Sequence, residues 1–198
     1  MAIIGMRHVV AAEIDNYTAG AEPTYKTGFD VGKAITGNLT INRNSNPLYA
    51  DDAIAEDDNS ITGMELELGV DDLDNDAQVG LGLVEEKTTG TGTSAVTTYY
   101  DTAVPTKQVG VGYMRVRRKN GVDVFQAVWT FSTRFGMPSE NTQTKNENIE
   151  WQTPTINGRF VGLDVDGTGI YKFRKRQDFT TAAAAAAWLD SQAGITRT

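Results

Sequence analysis

The chain has 198 residues, no cysteine and a formal net charge of −8. Its length suits one large domain able to bury roughly 70 % of the unfolded chain's surface. The missing cysteines exclude disulfides, thiolate metal sites and a cysteine nucleophile, and the acidic balance disfavours tight nucleic-acid binding, which needs clustered Lys and Arg.

Met1 to Val10 predicts an N-terminal arm (about 1–12) or a first strand. Arg7 and His8 break its apolar character, so neither a signal peptide nor a membrane span is expected. Asn16 to Thr27, with Gly20 and Pro23, reads as loop, and Gly37 to Arg43 as a short strand with Leu39 and Ile41 on one side. The stretch 44–60 is too acidic and too weakly periodic for a core element. It predicts a long loop holding at most one helical turn, of the kind that serves function or is ordered by a partner. Met64, Leu66 and Leu68 alternate with Glu65 and Glu67, a half-buried strand that Gly69 ends. Asp71, Asp72 and Asp74 crowd the start of a short helix from about Asp72 to Leu81, where negative charge complements the helix dipole. Lys87 to Val96 is rich in Thr and Gly and predicts a variable loop (about 87–96), followed by a strand from Thr97 to Asp101.

The clearest local signal is Asn120-Gly121 between two β-patterned runs, Val109 to Lys119 and Val122 to Phe135, which predicts a hairpin about a type I′ turn. Folding there sets Lys119 against Val122, Arg118 against Asp123, Val116 against Phe125, Met114 against Ala127, Gly112 against Trp129 and Gly110 against Phe131. Glycines then face aromatic rings along a core side. The other side carries Tyr113, Arg115, Arg117, Val124, Gln126, Val128 and Thr130, a mixed surface expected to meet water, a helix or another subunit. Beyond it, Ile149 and Trp151 begin a strand, Arg159 to Val165 another, and Asp166-Gly167 turns into a third from Ile170 to Arg176. Six alanines from Ala182 to Ala187, with Trp188, Leu189 and Gly194, predict a helix capped by Asp178, Thr180 or Thr181. Eight or nine strands with one firm and one short helix predict a mainly β chain with flanking α (α+β): an antiparallel sandwich or barrel with a C-terminal helix packed on it.

Chemistry finds little support. His8 has no serine or acid beside it in sequence, and the Asp72-x-Asp74-x-Asp76 opening of a calcium loop fails at Ala77 and Leu83. Asp164-Val165-Asp166-Gly167 meets Lys175 where a carboxylate is required, and Gly110-Val111-Gly112 meets Arg115 where a dinucleotide fingerprint needs glycine. No catalytic residue, metal or cofactor is expected. Charge is more informative. Thirteen acidic and no basic residues lie between Asn44 and Glu86, whereas basic residues gather in 115–119 and 172–176. Segregation of this kind suits a heterologous contact between copies, the geometry that builds rings or filaments.

Leu48-Tyr49-Ala50-Asp51-Asp52, Gly69-Val70-Asp71-Asp72-Leu73, Gly112-Tyr113 leading to Arg117-Arg118-Lys119-Asn120-Gly121, Gln152-Thr153-Pro154-Thr155-Ile156 and Ala187-Trp188-Leu189 occur in this order. The combination, from about Ile3 to Gly194, resembles the major tail proteins (tail tube proteins) of bacteriophages with long, non-contractile tails. The resemblance implies a single tail-tube domain over 1–198 and a structural virion protein, made in the host cytoplasm, that is no enzyme. Its subunits would form hexameric rings stacked into a hollow tail tube. Its partners would be further copies of itself, the tape measure protein, the tail terminator and the distal tail proteins, with genomic DNA as passing cargo and no membrane. The inter-ring loop would be 44–60, with Tyr49, Asp51, Asp52, Glu56, Asp57 and Asp58, docking on a neighbour's basic surface of Arg115, Arg117, Lys172 and Arg174. Surplus acid could instead line the lumen, where it would repel DNA. The rivals are another phage structural protein (sheath, tail tip or decoration) and a carbohydrate-binding module using Tyr99, Tyr100 and Trp151.

Overall fold

A computed structural model describes residues 2–50, 53–138 and 153–197. Its strands are β1 (Ala2–Asn16), β2 (Thr24–Tyr25), β3 (Phe29–Gly32), β4 (Ala34–Arg43), β5 (Asn46–Ala50), β6 (Ala53–Asp58), β7 (Ile61–Val70), β8 (Val84–Thr89), β9 (Val96–Asp101), β10 (Val109–Lys119), β11 (Val122–Phe135), β12 (Thr155–Phe160) and β13 (Arg174–Phe179). Two α-helices, α1 (Asn75–Leu81) and α2 (Ala182–Ala193), flank them. The chain is thus mainly antiparallel β with flanking helices, as its patterning predicts.

The central hairpin β10–β11 forms at the predicted bounds, and its register matches the expected pairs from Lys119↔Val122 to Gly112↔Trp129. Asn120 and Gly121 supply the two positive φ angles, 52° and 79°, that the turn requires. The last expected pair fails. Val109 sits opposite Thr133 and Val111 opposite Thr130, so β11 carries an extra residue there. Thr130 repairs the break: its hydroxyl accepts from Val111 N at 2.9 Å and donates to Val111 O at 3.1 Å, which accounts for a fully buried threonine.

Nine strands form one sheet in the order β2-β1-β10-β11-β12-β7-β4, with β3 on β1 and β13 on β11. Its two ends are joined by one bent chain, since β3 pairs with β1 and β4, beginning two residues after β3 ends, pairs with β7. The sheet therefore curls into a barrel-like shape. The corner needs glycine at position 32, where φ is +137° and a Cβ would lie 2.5 Å from Asp72 O. Asp71 holds the same corner, accepting from Lys33 N at 2.8 Å and donating its own N–H to Lys33 O at 3.0 Å.

Curling makes two cores. Inside the curl, Val9, Ala11, Leu66, Leu68, Val111, Tyr113, Val128, Ile156 and Phe160 pack with Leu73, Ala77 and Leu81 at α1. Outside, Val10, Ala12, Met114, Ala127, Trp129 and Phe131 pack under Ala185, Leu189 and Ala193 of α2. Side chains alternate between faces along a strand, so β1, β10 and β11 are apolar on both. This corrects the expectation for the hairpin's mixed face. Tyr113, Gln126, Val128 and Thr130 are buried, and only the end nearest the turn, with Arg115, Arg117 and Val124, is partly exposed. The predicted core side lies under α2, and Trp129 covers both Gly110 and Gly112, with Tyr25 edge-on to it at 5.2 Å.

Elsewhere the outcome is mixed. Helix α2 begins with Thr181 as its cap and ends at left-handed Gly194, as predicted, with Leu189 fully buried and Trp188 against Phe179. Helix α1 is shorter than expected and is capped by Asp74, whose carboxylate accepts from Ala77 N at 2.7 Å. Positions 44–60 hold no helical turn among the described residues; β5 and β6 pair as a hairpin. The expected loop 87–96 is largely the end of a second hairpin, β8–β9. The strands expected at Arg159–Val165 and Ile170–Arg176 are displaced to β12 and β13, with a single bridge between Leu163 and Lys172 in between. The strand expected at Ile149 and Trp151 lies outside the described residues. No described helix is long and apolar enough to cross a membrane.

Because a Cβ at Gly112 would lie 2.7 Å from the Trp129 ring and 2.9 Å from Leu189, Gly112→Ala forces the outer core to shift. We expect a loss of about 1–3 kcal/mol in urea unfolding. A change within about 0.5 kcal/mol, the usual range for surface substitutions, would refute this packing.

Candidate functional site

The predicted site residues fall on two surfaces. Tyr49 lies on β5 and Glu56, Asp57 and Asp58 on β6, while Asp51 and Asp52, between the strands, lie outside the described residues. Register runs Asn46↔Asp58, Pro47↔Asp57 and Leu48↔Glu56, then slips by one residue before Tyr49↔Ile54. This two-stranded sheet pairs with no other strand among the described residues.

The second surface is basic and lies on the body. Residues directly opposed in an antiparallel ladder share a face. Arg115 opposes Gln126 and Arg117 opposes Val124 across β10–β11, while Arg174 opposes Thr130 and Arg176 opposes Val128 across β11–β13. All four guanidinium groups therefore lie on the face that Tyr113 and Val128 present to the inner core. Arg115 donates from Nε to Gln126 Oε1 at 2.8 Å, and Gln126 in turn donates to Asp178 Oδ1 at 2.6 Å. Burial first, then the like charges of Arg174, Arg176 and Arg117, holds the Arg115 guanidinium below its usual range despite an opposing contribution from Tyr113. Arg174 Nη1 is buried with no acceptor among the described residues.

Lys172, expected on this surface, does not belong to it. Its ammonium is paired with Asp166 inside the turn that precedes β13. Arg176, absent from the predicted set, completes the cluster; only the pairing of β13 with β11 reveals it, because nothing in the sequence sets the two strands' register.

A third polar cluster was not expected at all. His8 sits at an irregularity in β1 with φ +57° and brings Nε2 within 2.9 Å of Asp190 Oδ1 on α2. Arg197 donates to the same carboxylate from Nε at 2.8 Å and to Asp30 at 2.7 Å. The cluster ties the first strand, the last helix and the terminal segment together. It borders an open groove of about 830 Å³ whose walls include His8, Asp30, Lys33, Asp72, Met114 and Ala186. Among the described residues no serine, threonine or lysine hydrogen-bonds to the His8–Asp190 pair, and no three His, Asp or Glu side chains converge as a metal site. Tyr99 and Tyr100 are successive residues of β9 and so point to opposite faces, which separates the two rings proposed as a sugar platform. Trp151 lies outside the described residues.

No family model matches this chain, and no curated protein matches it.

Burial pushes the Asp190 carboxyl up, but hydrogen bonds from Arg197 and then His8 outweigh it and leave the group below its ordinary 3.8. A carboxylate depressed in the folded state stabilises fully above the unfolded value and loses that contribution as pH falls through the folded one. Asp190→Asn should therefore flatten the decline of unfolding free energy as pH falls below 3.8, measured by urea titration at a series of pH values. An unchanged acid limb would show that Asp190 is not the group titrating.

Proposed function

We propose that the chain is a self-assembling structural subunit, the tube protein of a long, non-contractile bacteriophage tail, whose hexameric rings stack into a hollow tube. In that role it surrounds the tape measure protein during assembly, meets the terminator and distal proteins at the tube's ends and later passes DNA. The observation that carries this is the β5–β6 hairpin, a two-stranded element outside the main sheet. Hairpins of this kind are marginal in water on their own, so a neighbouring subunit is a natural source of their missing contacts.

The sheet's edges support the same reading. From Ile35 onward the outer edge of β4 pairs with no strand among the described residues, and Ala2 to Arg7 of β1 pair only with β10. Residues 34–42 contain no charge and no proline, the usual protections of an edge. An unprotected edge is a template for another chain, and heterologous edge contacts close into rings when the rotation permits. The segregated charges add direction, with acid on the hairpin and guanidinium groups on the body.

Negative-stain electron microscopy of concentrated protein should show rings, or tubes of uniform bore. Closed rings that never stack would favour a tail-tip or decoration protein instead. A chain that stays monomeric in sedimentation at every concentration and salt would sink the assembly reading.

A further inference from the structure

Arg115 and Arg117 on β10 and Arg174 and Arg176 on β13 stand on one face of three adjacent strands, with Val124, Gln126, Val128 and Thr130 of β11 between them. The acid in the same ladder is Asp178, whose Oδ1 already accepts from Gln126 at 2.6 Å. Four guanidinium groups thus meet one carboxylate. Arg117 and Arg176 have no hydrogen-bond or ion-pair partner among the described residues, and Nη1 of Arg174 is buried without one. Arg115 gives its Nε to Gln126 and is repelled by the other three, so the groups lie within Coulomb reach of one another. Tyr113 and Val128, on the same face, are buried. Apolar surroundings of this kind make unpaired cations costly and a matching anion correspondingly favourable.

We propose that the guanidinium face of Arg115, Arg117, Arg174 and Arg176 is a binding site, built within one subunit, for a small multivalent phosphate-type oxyanion such as diphosphate. A carboxylate is filled by one guanidinium fork, whereas linked phosphate groups offer acceptors to several forks at once. A long polyanion fits less well, because the chain's net charge of −8 opposes it. Binding weakens as salt screens the partly exposed charges, and it raises the melting temperature, as any ligand held by the folded state alone does. The site needs no second copy, so it neither follows from the assembly reading nor depends on it.

Titration calorimetry with sodium diphosphate, at a protein concentration where sedimentation shows monomer, should give one binding event per chain that weakens as NaCl is added. Arg117→Gln with Arg176→Gln removes the two groups without partners and spares Arg115 and its bond to Gln126. In that variant Kd should rise at least about tenfold, with melts in the absence of ligand verifying the fold. Arg176→Gln alone, at an exposed position, repeats the test should the pair unfold. Lys87→Gln with Arg134→Gln removes the same charge from exposed positions off this face and should bind as the wild type does. No heat and no thermal shift in millimolar diphosphate would overturn the site. Equal weakening in both double variants would also overturn it, because net charge alone would then explain the binding. Tighter binding of a short single-stranded oligonucleotide than of diphosphate, lost in the arginine variant, would overturn the free oxyanion as occupant and give the face to nucleic acid.

Discussion

Burial of the β10–β11 hairpin on both faces is the constraint from which the rest of the fold follows. A ladder in the middle of two cores must place apolar or small side chains at successive positions, not alternate ones. Val109 to Met114 meets that demand with Val111 and Tyr113 inside and Gly112 and Met114 outside. The glycines leave space for Trp129, and Trp129 sets how closely α2 can approach. Alanine along that helix then has a structural purpose, since Ala185 and Ala193 are fully buried against the sheet where larger residues would hold the helix away.

Polar groups close what the apolar groups enclose. Asp71 pins the corner where β3 becomes β4, Thr130 covers a break in the central ladder, and Asp190 gathers His8 and Arg197 at the junction of first strand and last helix. Each carboxylate or hydroxyl satisfies backbone or side-chain donors that would be expensive to leave unpaired once buried. The barrel-like curl is joined through the bend between β3 and β4, and from Ile35 onward β4's outer edge pairs with no strand among the described residues. Among the described residues the β5–β6 hairpin likewise pairs with no further strand, and Arg117 and Arg176 have no ion-pair partner. The proposed self-assembly rests on these surfaces.

Local chemistry made several elements legible in advance. Asn120-Gly121 defines a turn whose two-residue geometry admits one register, so pairs as far as Gly112 and Trp129 could be listed from the turn outward. Thr181, the alanines and Gly194 bound α2 for similarly local reasons. The prediction failed where contact from elsewhere decides. The extra residue in β11 is stabilised by a threonine hydroxyl, not by any turn signal, and β12 and β13 begin where β7 and β11 offer partners. The acidic stretch lacks hydrophobic periodicity although its backbone pairs as β5–β6. Period-two burial therefore gives no sign of it.

The same division applies to the candidate surfaces. Sequence by itself determined that charge is segregated, that the β10–β11 hairpin exists and that no thiol is present, because these depend on composition and near neighbours. Tertiary structure alone decided which basic residues act together. Arg115 and Arg117 come from one strand, Arg174 and Arg176 from another 55 residues or more away in the chain, and Lys172 is drawn off by Asp166. Coulomb interaction depends on distance in space, and the pairing of β13 with β11 sets that distance.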